Sequence, residues 1–92
     1  MRIVVSYDIS NDKRRRKMAR ILEGYGDRVQ YSVFECELDA PQLTSLKRRL
    51  RPLVSKEAGE SVRIYPLHAD SAAQVQVLGY DARRELGPVT VI

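Results

Sequence analysis

The hydrophobic pattern at the start of the chain predicts a strand that ends in a carboxylate. Three consecutive β-formers, residues 3–5, lie between Arg2 and Ser6, a run typical of a buried strand rather than of one face of a helix. Asp8 therefore falls at the carboxyl end of this strand. Ligand groups gather at the carboxyl ends of strands in open α/β layers, so Asp8 is the first candidate functional residue.

The segment after Asp8 has the period of an amphipathic helix. Its apolar positions form a single stripe on a 3.6-residue period: Met18, Ile21, Leu22 and Tyr25. Residues 10–12 can accept hydrogen bonds from the open amides of a first helical turn, and Asp8 itself is an alternative cap. Gly24 and Gly26 supply left-handed or flexible positions, so we expect the helix to end there.

Six cations crowd this predicted helix, most of them at its start: Lys13, Arg14, Arg15, Arg16, Lys17 and Arg20. Positive charge is unfavourable at a helix N-terminus because the macrodipole favours anions there, so the cluster has no evident structural reason. Two interpretations stay open. The cations form either a solvated face that keeps the protein soluble or a surface that binds phosphate.

Residues 28–38 are β-prone, but their alternation changes phase. The apolar positions have odd numbers up to Val33 and even numbers from Phe34 onwards. A bulge or a sharp break near residues 32–34 explains the shift. One long bent strand and two short strands are equally compatible with the pattern.

A second helix is predicted to begin after Asp39. Gln42, three residues later, completes a capping-box pair, and Pro41 is tolerated in the first turn. Pro52 lies inside the helical pattern, where we expect the helix to kink or thin. The apolar face consists of Leu43, Leu46, Leu50, Leu53 and Val54. Cations late in this helix are favoured by the dipole, so we assign them no ligand.

The last third of the chain predicts short β elements. Residues 61–67 alternate as a strand, and Pro66 indicates that this strand ends there or lies at a sheet edge. His68 follows as a surface residue, residues 70–74 are interpreted as a linker, and residues 75–80 as a short last strand. The tail, residues 87–92, is β-prone and either frays or adds to the sheet edge of another chain.

With the middle segment split, the order of elements is that of an α+β, ferredoxin-like β-α-β-β-α-β fold with an extra C-terminal strand. Two helices then lie on one face of an antiparallel sheet. We expect a ferredoxin-like domain over residues 1–80, including the late strand, and a C-terminal tail over residues 81–92. The other face of the sheet keeps apolar residues, and a second copy covering it would suit so small a chain.

Composition narrows the class of protein. Sixteen Lys and Arg against 12 Asp and Glu give a net charge of +4 and a pI near 9.5, which favours a polyanionic partner such as nucleic acid. Cys36 is the only cysteine, which excludes a disulfide framework and a cysteine-rich zinc site. No apolar run is long enough for a membrane span. We therefore expect a cytoplasmic protein with no membrane partner.

Asp8 is the residue on which a catalytic function can be proposed. His68 is isolated and Cys36 falls within a strand pattern, so neither predicts nucleophilic catalysis. Mg²⁺ prefers oxygen ligands and takes one or two carboxylates together with water and substrate phosphate. One Asp8 per chain is too few, whereas two copies across a two-fold axis would suffice for a metal-assisted phosphodiesterase.

Five segments together resemble the second CRISPR-associated core protein, the small partner of the CRISPR integrase that is often described as an endoribonuclease. The likeness covers nearly the whole chain, and its segments are residues 4–10, 12–17, 28–36, 62–67 and 77–80. It implies a ferredoxin-like homodimer whose sheets face each other. It also implies a bend at Ser32 between the second and third strands, and an exchanged strand at residues 75–78 that extends the sheet of the partner subunit.

The resemblance implies roles for individual residues. Asp8, with Tyr7 before it, matches the family's metal-binding and proposed catalytic aspartate, paired with its copy across the dimer, and Mg²⁺ is the implied cofactor. Arg15, Arg28 and Phe34 match positions implicated in activity. Tyr7, Asp8 and these three residues are the candidate catalytic set.

Two classes of function fit the resemblance. In the first, the homodimer is a Mg²⁺-dependent endonuclease that cuts RNA or DNA by a metal-activated water, with single-stranded RNA as one substrate. In the second, it is a structural scaffold without catalysis, flanked by CRISPR integrase dimers and holding duplex DNA. The candidate nucleic-acid-binding residues are Arg14, Arg15, Arg16 and Lys17. Lys17 falls where some members have arginine, so the charge is kept and the bidentate fork is lost.

We expect the protein to act as the non-integrase subunit in spacer acquisition and to carry the endonuclease activity. A scaffold without catalysis and a toxin-like endoribonuclease are the alternatives. The residues discriminate poorly between RNA and DNA because a basic helix reads phosphate charge rather than the sugar.

Overall fold

The chain folds around a four-stranded antiparallel sheet. A computed structural model describes residues 1–83, 90 and 91. Its elements are β1 (Arg2–Asp8), α1 (Asp12–Glu23), β2 (Gly26–Gln30), β3 (Val33–Glu37), α2 (Ala40–Leu50), β4 (Ser61–Leu67), α3 (Ala69–Ala73), β5 (Gln76–Val77) and β6 (Thr90–Val91). The sheet has the strand order β2-β3-β1-β4, and all neighbouring strands are antiparallel. The α+β, ferredoxin-like prediction is confirmed.

Alternation along β1 places the hydrophobic core on one side of the sheet. Ile3, Val5 and Tyr7 are buried, whereas positions 4, 6 and 8 project to the other side. The core is completed by residues of both long helices and of β3, among them Met18, Leu22, Leu46, Leu50, Phe34 and Cys36. Because α1 and α2 both pack on the side of Ile3, we call the side that carries positions 4, 6 and 8 the open face.

Both ends of α1 lie where the sequence predicts them. Asn11 is the N-cap, and its side chain accepts a hydrogen bond from the Arg14 amide at 2.9 Å, so the alternative in which Asp8 caps the helix is wrong. Gly24 ends the helix as expected, and its φ of −78° is right-handed, so no left-handed conformation is needed there. Gly26 belongs to β2, where an added Cβ would lie 2.7 Å from the Cys36 Sγ, so this position needs glycine for close approach.

The middle segment forms two strands joined by a turn at residues 31 and 32, which settles the alternative that the pattern left open. Arg28 pairs with Phe34 and Gln30 pairs with Val33, so the register shifts between Arg28 and Gln30. Val29 is thus the extra residue of a bulge. The bulge lies before the turn rather than at residues 32–34, and together they change the phase of the apolar pattern.

The second helix follows its prediction closely. The Asp39 side chain accepts a hydrogen bond from the Gln42 amide, the Gln42 side chain accepts one from the Asp39 amide, and both distances are 2.8 Å. This is the predicted capping box. The α-helix ends at Leu50 and tightens into a 3₁₀ turn over Arg51–Leu53, which is the thinning expected from Pro52.

Beyond β4 the prediction is only partly correct. β4 lies at an edge of the sheet, as Pro66 indicated. Residues 70–74 are not a linker, because most of them belong to α3. β5 is shorter than expected and pairs in parallel with β6 in a separate two-stranded sheet, whereas residues 84–89 and 92 of the predicted tail lie outside the described residues. In the described part of the chain, every helix is too short or too polar to span a bilayer.

Candidate active site and nucleic-acid interface

Asp8 and Tyr7, neighbours in sequence, project to opposite sides of the sheet. Tyr7 is buried on the core side, and Asp8, the last residue of β1, is exposed on the open face. Within residues 1–83, 90 and 91, the Asp8 carboxylate has no hydrogen-bond or ion-pair partner. It is therefore available to an external ligand.

Tyr7, Phe34 and Arg28 form a stack on the core side. The Tyr7 and Phe34 rings have centroids 6.4 Å apart and an interplanar angle of 25°. The Arg28 guanidinium carbon lies 5.3 Å from the Phe34 centroid and 5.9 Å from the Tyr31 centroid, within the range of cation–π attraction. Phe34 is fully buried, so its place is to support Arg28 rather than to touch a ligand.

Arg15 connects the start of α1 with the end of β1. Its Nη1 donates a hydrogen bond to the Ile9 carbonyl at 3.3 Å, and its Nη2 forms an ion pair with the Asp12 carboxylate. The hydrogen bond with Asp12, with a smaller contribution from the Tyr31 hydroxyl, raises the pKa of Arg15. The Arg15 guanidinium is thus held at the backbone of Ile9, the residue that follows Asp8 in the chain.

A cavity of about 360 Å³ opens between α1 and the β2–β3 hairpin. Tyr7, Arg15, Arg16, Arg20, Arg28 and Tyr31 are prominent in its lining. We call it the arginine cavity. It unites four of the five candidate catalytic residues, since Tyr7, Arg15 and Arg28 line it and Phe34 lies beneath Arg28. Asp8 is not among the lining residues, so the fifth candidate stands apart at the end of β1.

Arg14 is held in a polar network that sequence reasoning missed. Its Nη2 donates to the Glu60 carboxylate at 2.9 Å, and its Nη1 donates to the Leu53 carbonyl at 2.7 Å. The same carboxylate accepts hydrogen bonds from the Ser10 amide and hydroxyl and from the Ser55 amide. These donors, with Arg14 first, lower the pKa of Glu60 far below its ordinary value. Arg14 therefore ties α1 to the loop before β4.

The other cations of α1 face outward. Lys13, Arg16, Lys17 and Arg20 are exposed. In the described part of the chain they have no ion-pair partner, in contrast to Arg14 and Arg15. We call these four side chains the α1 basic surface. On α2, residues 47–49 are also exposed, and Arg49 lies 5.7 Å from the Tyr25 ring centroid.

The donor set for a metal is sparse within one chain. Among the described residues, no group of three or more His, Cys, Asp or Glu side chains could hold a metal ion together. Cys36 is buried, and burial raises the pKa of its thiol to about 11, so it offers no thiolate near neutral pH. Asp8 fits Mg²⁺ as one carboxylate ligand, and a second copy of Asp8 would have to come from a second chain.

Comparison with known proteins gives a consistent result. Residues 1–75 match the family model described as CRISPR associated protein Cas2. A CRISPR-associated endoribonuclease Cas2 from Synechocystis is 50% identical over 76 residues, which cover 83% of this chain and 82% of the relative.

Two solved structures share the fold. The hypothetical protein TT1823 from Thermus thermophilus is 47% identical, with a TM-score of 0.74 over 87% of this chain and 92% of that one. A chain of a partial Cas6-RT-Cas1–Cas2 complex is 33% identical, with a TM-score of 0.64 over 76% of this chain and 81% of that one. The resemblance stated from the sequence is confirmed: the chain belongs to the CRISPR associated protein Cas2 family.

Proposed function

We propose that this chain is the non-integrase subunit of a spacer-acquisition complex, that it binds duplex DNA as a homodimer in the cytoplasm, and that it carries Mg²⁺-dependent endonuclease activity on RNA or DNA. The α1 basic surface is the observation that carries the proposal. Four exposed cations without ion-pair partners in the described part of the chain can each face a phosphate. Arg16 and Lys17, two of the predicted nucleic-acid-binding residues, belong to this surface.

The proposed partner is the CRISPR integrase, present as dimers that flank this subunit. The support is that a structural neighbour at 33% identity is a chain of a complex described as containing Cas1 and Cas2. The proposed attachment is the last six residues, 87–92, within the C-terminal tail that follows the ferredoxin-like domain of residues 1–80. Pairing of β6 with β5 indicates that this segment has strand-forming capacity.

The homodimer is supported by the open face. Tyr65 is 44% exposed there, and Val4 beside it is only partly buried. A second copy covering this face would bury that apolar surface and would bring a second Asp8 to the same side. Residues 75–78 are the proposed exchanged strand, and Leu78 within them is 77% exposed.

The endonuclease activity is proposed at Asp8. The two Asp8 carboxylates of the dimer would hold Mg²⁺, which supplies a water of lowered pKa and neutralises charge on the scissile phosphate when bound. Arg15 lies beside the end of β1 and can hold a phosphate near Asp8, whereas Arg28 acts from the arginine cavity. Tyr7 and Phe34 keep Arg28 in place.

A scaffold without catalysis is the second candidate. It is favoured by the sparse ligands at Asp8, since no group of three or more His, Cys, Asp or Glu side chains among the described residues could hold a metal ion. In that case the α1 basic surface binds DNA as proposed, and the Asp8 carboxylate is dispensable.

Salt dependence tests the binding proposal. Fluorescence anisotropy of a labelled duplex should show affinity falling steeply with salt, and a double variant, Arg16→Gln with Lys17→Gln, should lower the slope of log K against log salt by about two. A double variant with the same charge change, Arg51→Gln with Lys56→Gln, lies outside α1 and should keep the slope. Salt-independent binding, or equal slopes for both double variants, would contradict the proposal.

A further inference from the structure

We propose that the arginine cavity binds one unpaired nucleotide, with its base stacked on Tyr31 and its phosphate held by the surrounding arginines. The inference rests on the proposed function only in taking nucleic acid as the ligand. Metal and cleavage play no part in it.

The Tyr31 ring is exposed enough for a nucleic-acid base to stack on it. Its ring is 70% exposed in the turn between β2 and β3, and the Arg28 guanidinium lies 5.9 Å from its centroid. The Arg28 contact, together with the interaction of the Tyr31 hydroxyl with Arg15, places the ring beside the cavity. An ordered, exposed aromatic ring next to cations is what single-stranded nucleic-acid sites use to stack a base.

The charges around the ring suit a phosphate. Arg15, Arg16, Arg20 and Arg28 line the cavity, and Glu23 is the one carboxylate in the lining. Arg15 is already paired with Asp12, so Arg16 and Arg20 are the freer donors in the described part of the chain. A guanidinium fork binds a phosphate oxygen pair directly, so the phosphate of a stacked nucleotide would meet two or more charge-assisted donors.

The size of the cavity limits the ligand. Its volume of about 360 Å³ lies at the small end of sites that hold small organic ligands, about 300–1,000 Å³. A duplex cannot enter such a space, and its stacked bases would offer no free face to Tyr31. One nucleotide at a strand end, or one turned out of the strand, can present a base and a phosphate together.

The position of the cavity separates this site from Asp8. Tyr7 contributes to the cavity from the core side of β1, whereas Asp8 projects to the open face. A nucleotide in the cavity would therefore not contact the Asp8 carboxylate of the same chain. Substitution of Asp8 should therefore remove metal-dependent cleavage without removing binding in the cavity, although Arg15 and Arg28 serve both.

The test is binding of a labelled trinucleotide without metal, measured by anisotropy, with a nucleoside monophosphate, a nucleoside and inorganic phosphate as competitors. Tyr31→Ala should weaken binding roughly 5- to 100-fold, as expected for one stacked base, and Tyr31→Phe should bind as the wild type does. Tyr80→Ala is the matched control, because Tyr80 is 87% exposed and is not among the residues that line the cavity. Asp8→Asn should leave the affinity unchanged.

Competition should be strongest for the nucleoside monophosphate. Inorganic phosphate competing equally well would overturn the inference, because the cavity would then bind only an anion. Wild-type affinity in Tyr31→Ala, or an equal loss in Tyr80→Ala, would overturn it as well. Loss of cleavage in Asp8→Asn with intact trinucleotide binding would support the cavity and the Asp8 proposal separately, so either can fail alone.

Discussion

The Arg14 guanidinium forms a bidentate ion pair with the Glu60 carboxylate, which lies 46 residues away in the sequence. The Glu60 side chain is only 2% exposed, whereas that of Arg14 is 30% exposed, so a buried acid is neutralised by a cation that enters from the surface. Ser10 and Ser55 donate to the same carboxylate. This contact fixes the start of α1, and with it the loop that follows Asp8, against the loop before β4.

Glu60→Gln is expected to lower the melting temperature near neutral pH. The amide keeps the shape of the side chain but leaves the Arg14 guanidinium without its counter-charge. The folded state lowers the pKa of Glu60 below its ordinary value of 4.5, so its stabilising contribution is complete above that pH and is lost as the pH falls further. Thermal melts from pH 7 to pH 3 should therefore show the wild type approaching the variant in acid. Glu57→Gln, an exposed neighbour, is the control, and an equal, pH-independent effect of both changes would contradict the account.

Substitutions of Arg14 and Arg16 are expected to change different properties, thermal stability for Arg14 and DNA binding for Arg16. Arg14→Gln should lower thermal stability because its Glu60 contact is lost, and it should change duplex affinity little. Arg16→Gln should keep the stability and lower the salt slope of DNA binding by about one, since its exposed side chain has no ion-pair partner in the described residues. Anisotropy and thermal melts on both variants check this. A larger loss of salt slope in Arg14→Gln would show that Arg14 binds phosphate as the sequence suggested.

Gly26→Ala is expected to destabilise the fold by about 1–3 kcal/mol, the usual cost of overpacking. The added Cβ would collide with the Glu35 carbonyl and the Cys36 Sγ on β3. Gly24→Ala is a matched control, because its Cβ would meet only the Ile21 carbonyl, at 3.3 Å, and its backbone is right-handed. Urea unfolding of both variants measures the difference. Equal stabilities would mean that β2 and β3 do not approach each other this closely.

The Cys36 thiol is expected to resist modification in the native protein. Burial, with the nearby Asp27 and Glu35 charges, raises the pKa of the thiol to about 11, so below that pH the thiolate is scarce as well as shielded. A thiol reagent such as DTNB should react slowly at pH 8 and immediately in denaturant. Fast reaction of the folded protein would contradict the burial of Cys36.

Periodicity and capping residues predicted most of the architecture. The stripe from Met18 to Tyr25 and the Asp39 capping box located both long helices because their signals lie within a few residues. The five residues of α3 are too few to show a period, so it was missed. Within residues 28–38, a bulge and a turn together changed the phase of the apolar alternation. The pattern alone could not distinguish one bent strand from two short strands.

Part of the candidate site could likewise be predicted from the sequence, and part could not. Alternation along β1 could have placed Tyr7 and Asp8 on opposite sides, since only the strand assignment was needed. The partnership of Arg14 with Glu60 could not be read from the sequence, because nothing local links an arginine in one helix with a carboxylate after a distant loop. Tyr31 was also missed, since one aromatic residue in a strand pattern is an ordinary core position until the turn exposes it.

Cleavage of labelled single-stranded RNA and double-stranded DNA, with and without Mg²⁺, tests the central proposal most directly. The wild type is compared with Asp8→Asn, after size-exclusion chromatography has shown both to be dimers. We expect both proteins to bind duplex, the wild type to cut only with Mg²⁺, and the variant not to cut. Equal cutting by both proteins, or cutting without metal, would contradict the role of Asp8. Duplex binding without cutting by either protein would leave the scaffold function and remove the endonuclease.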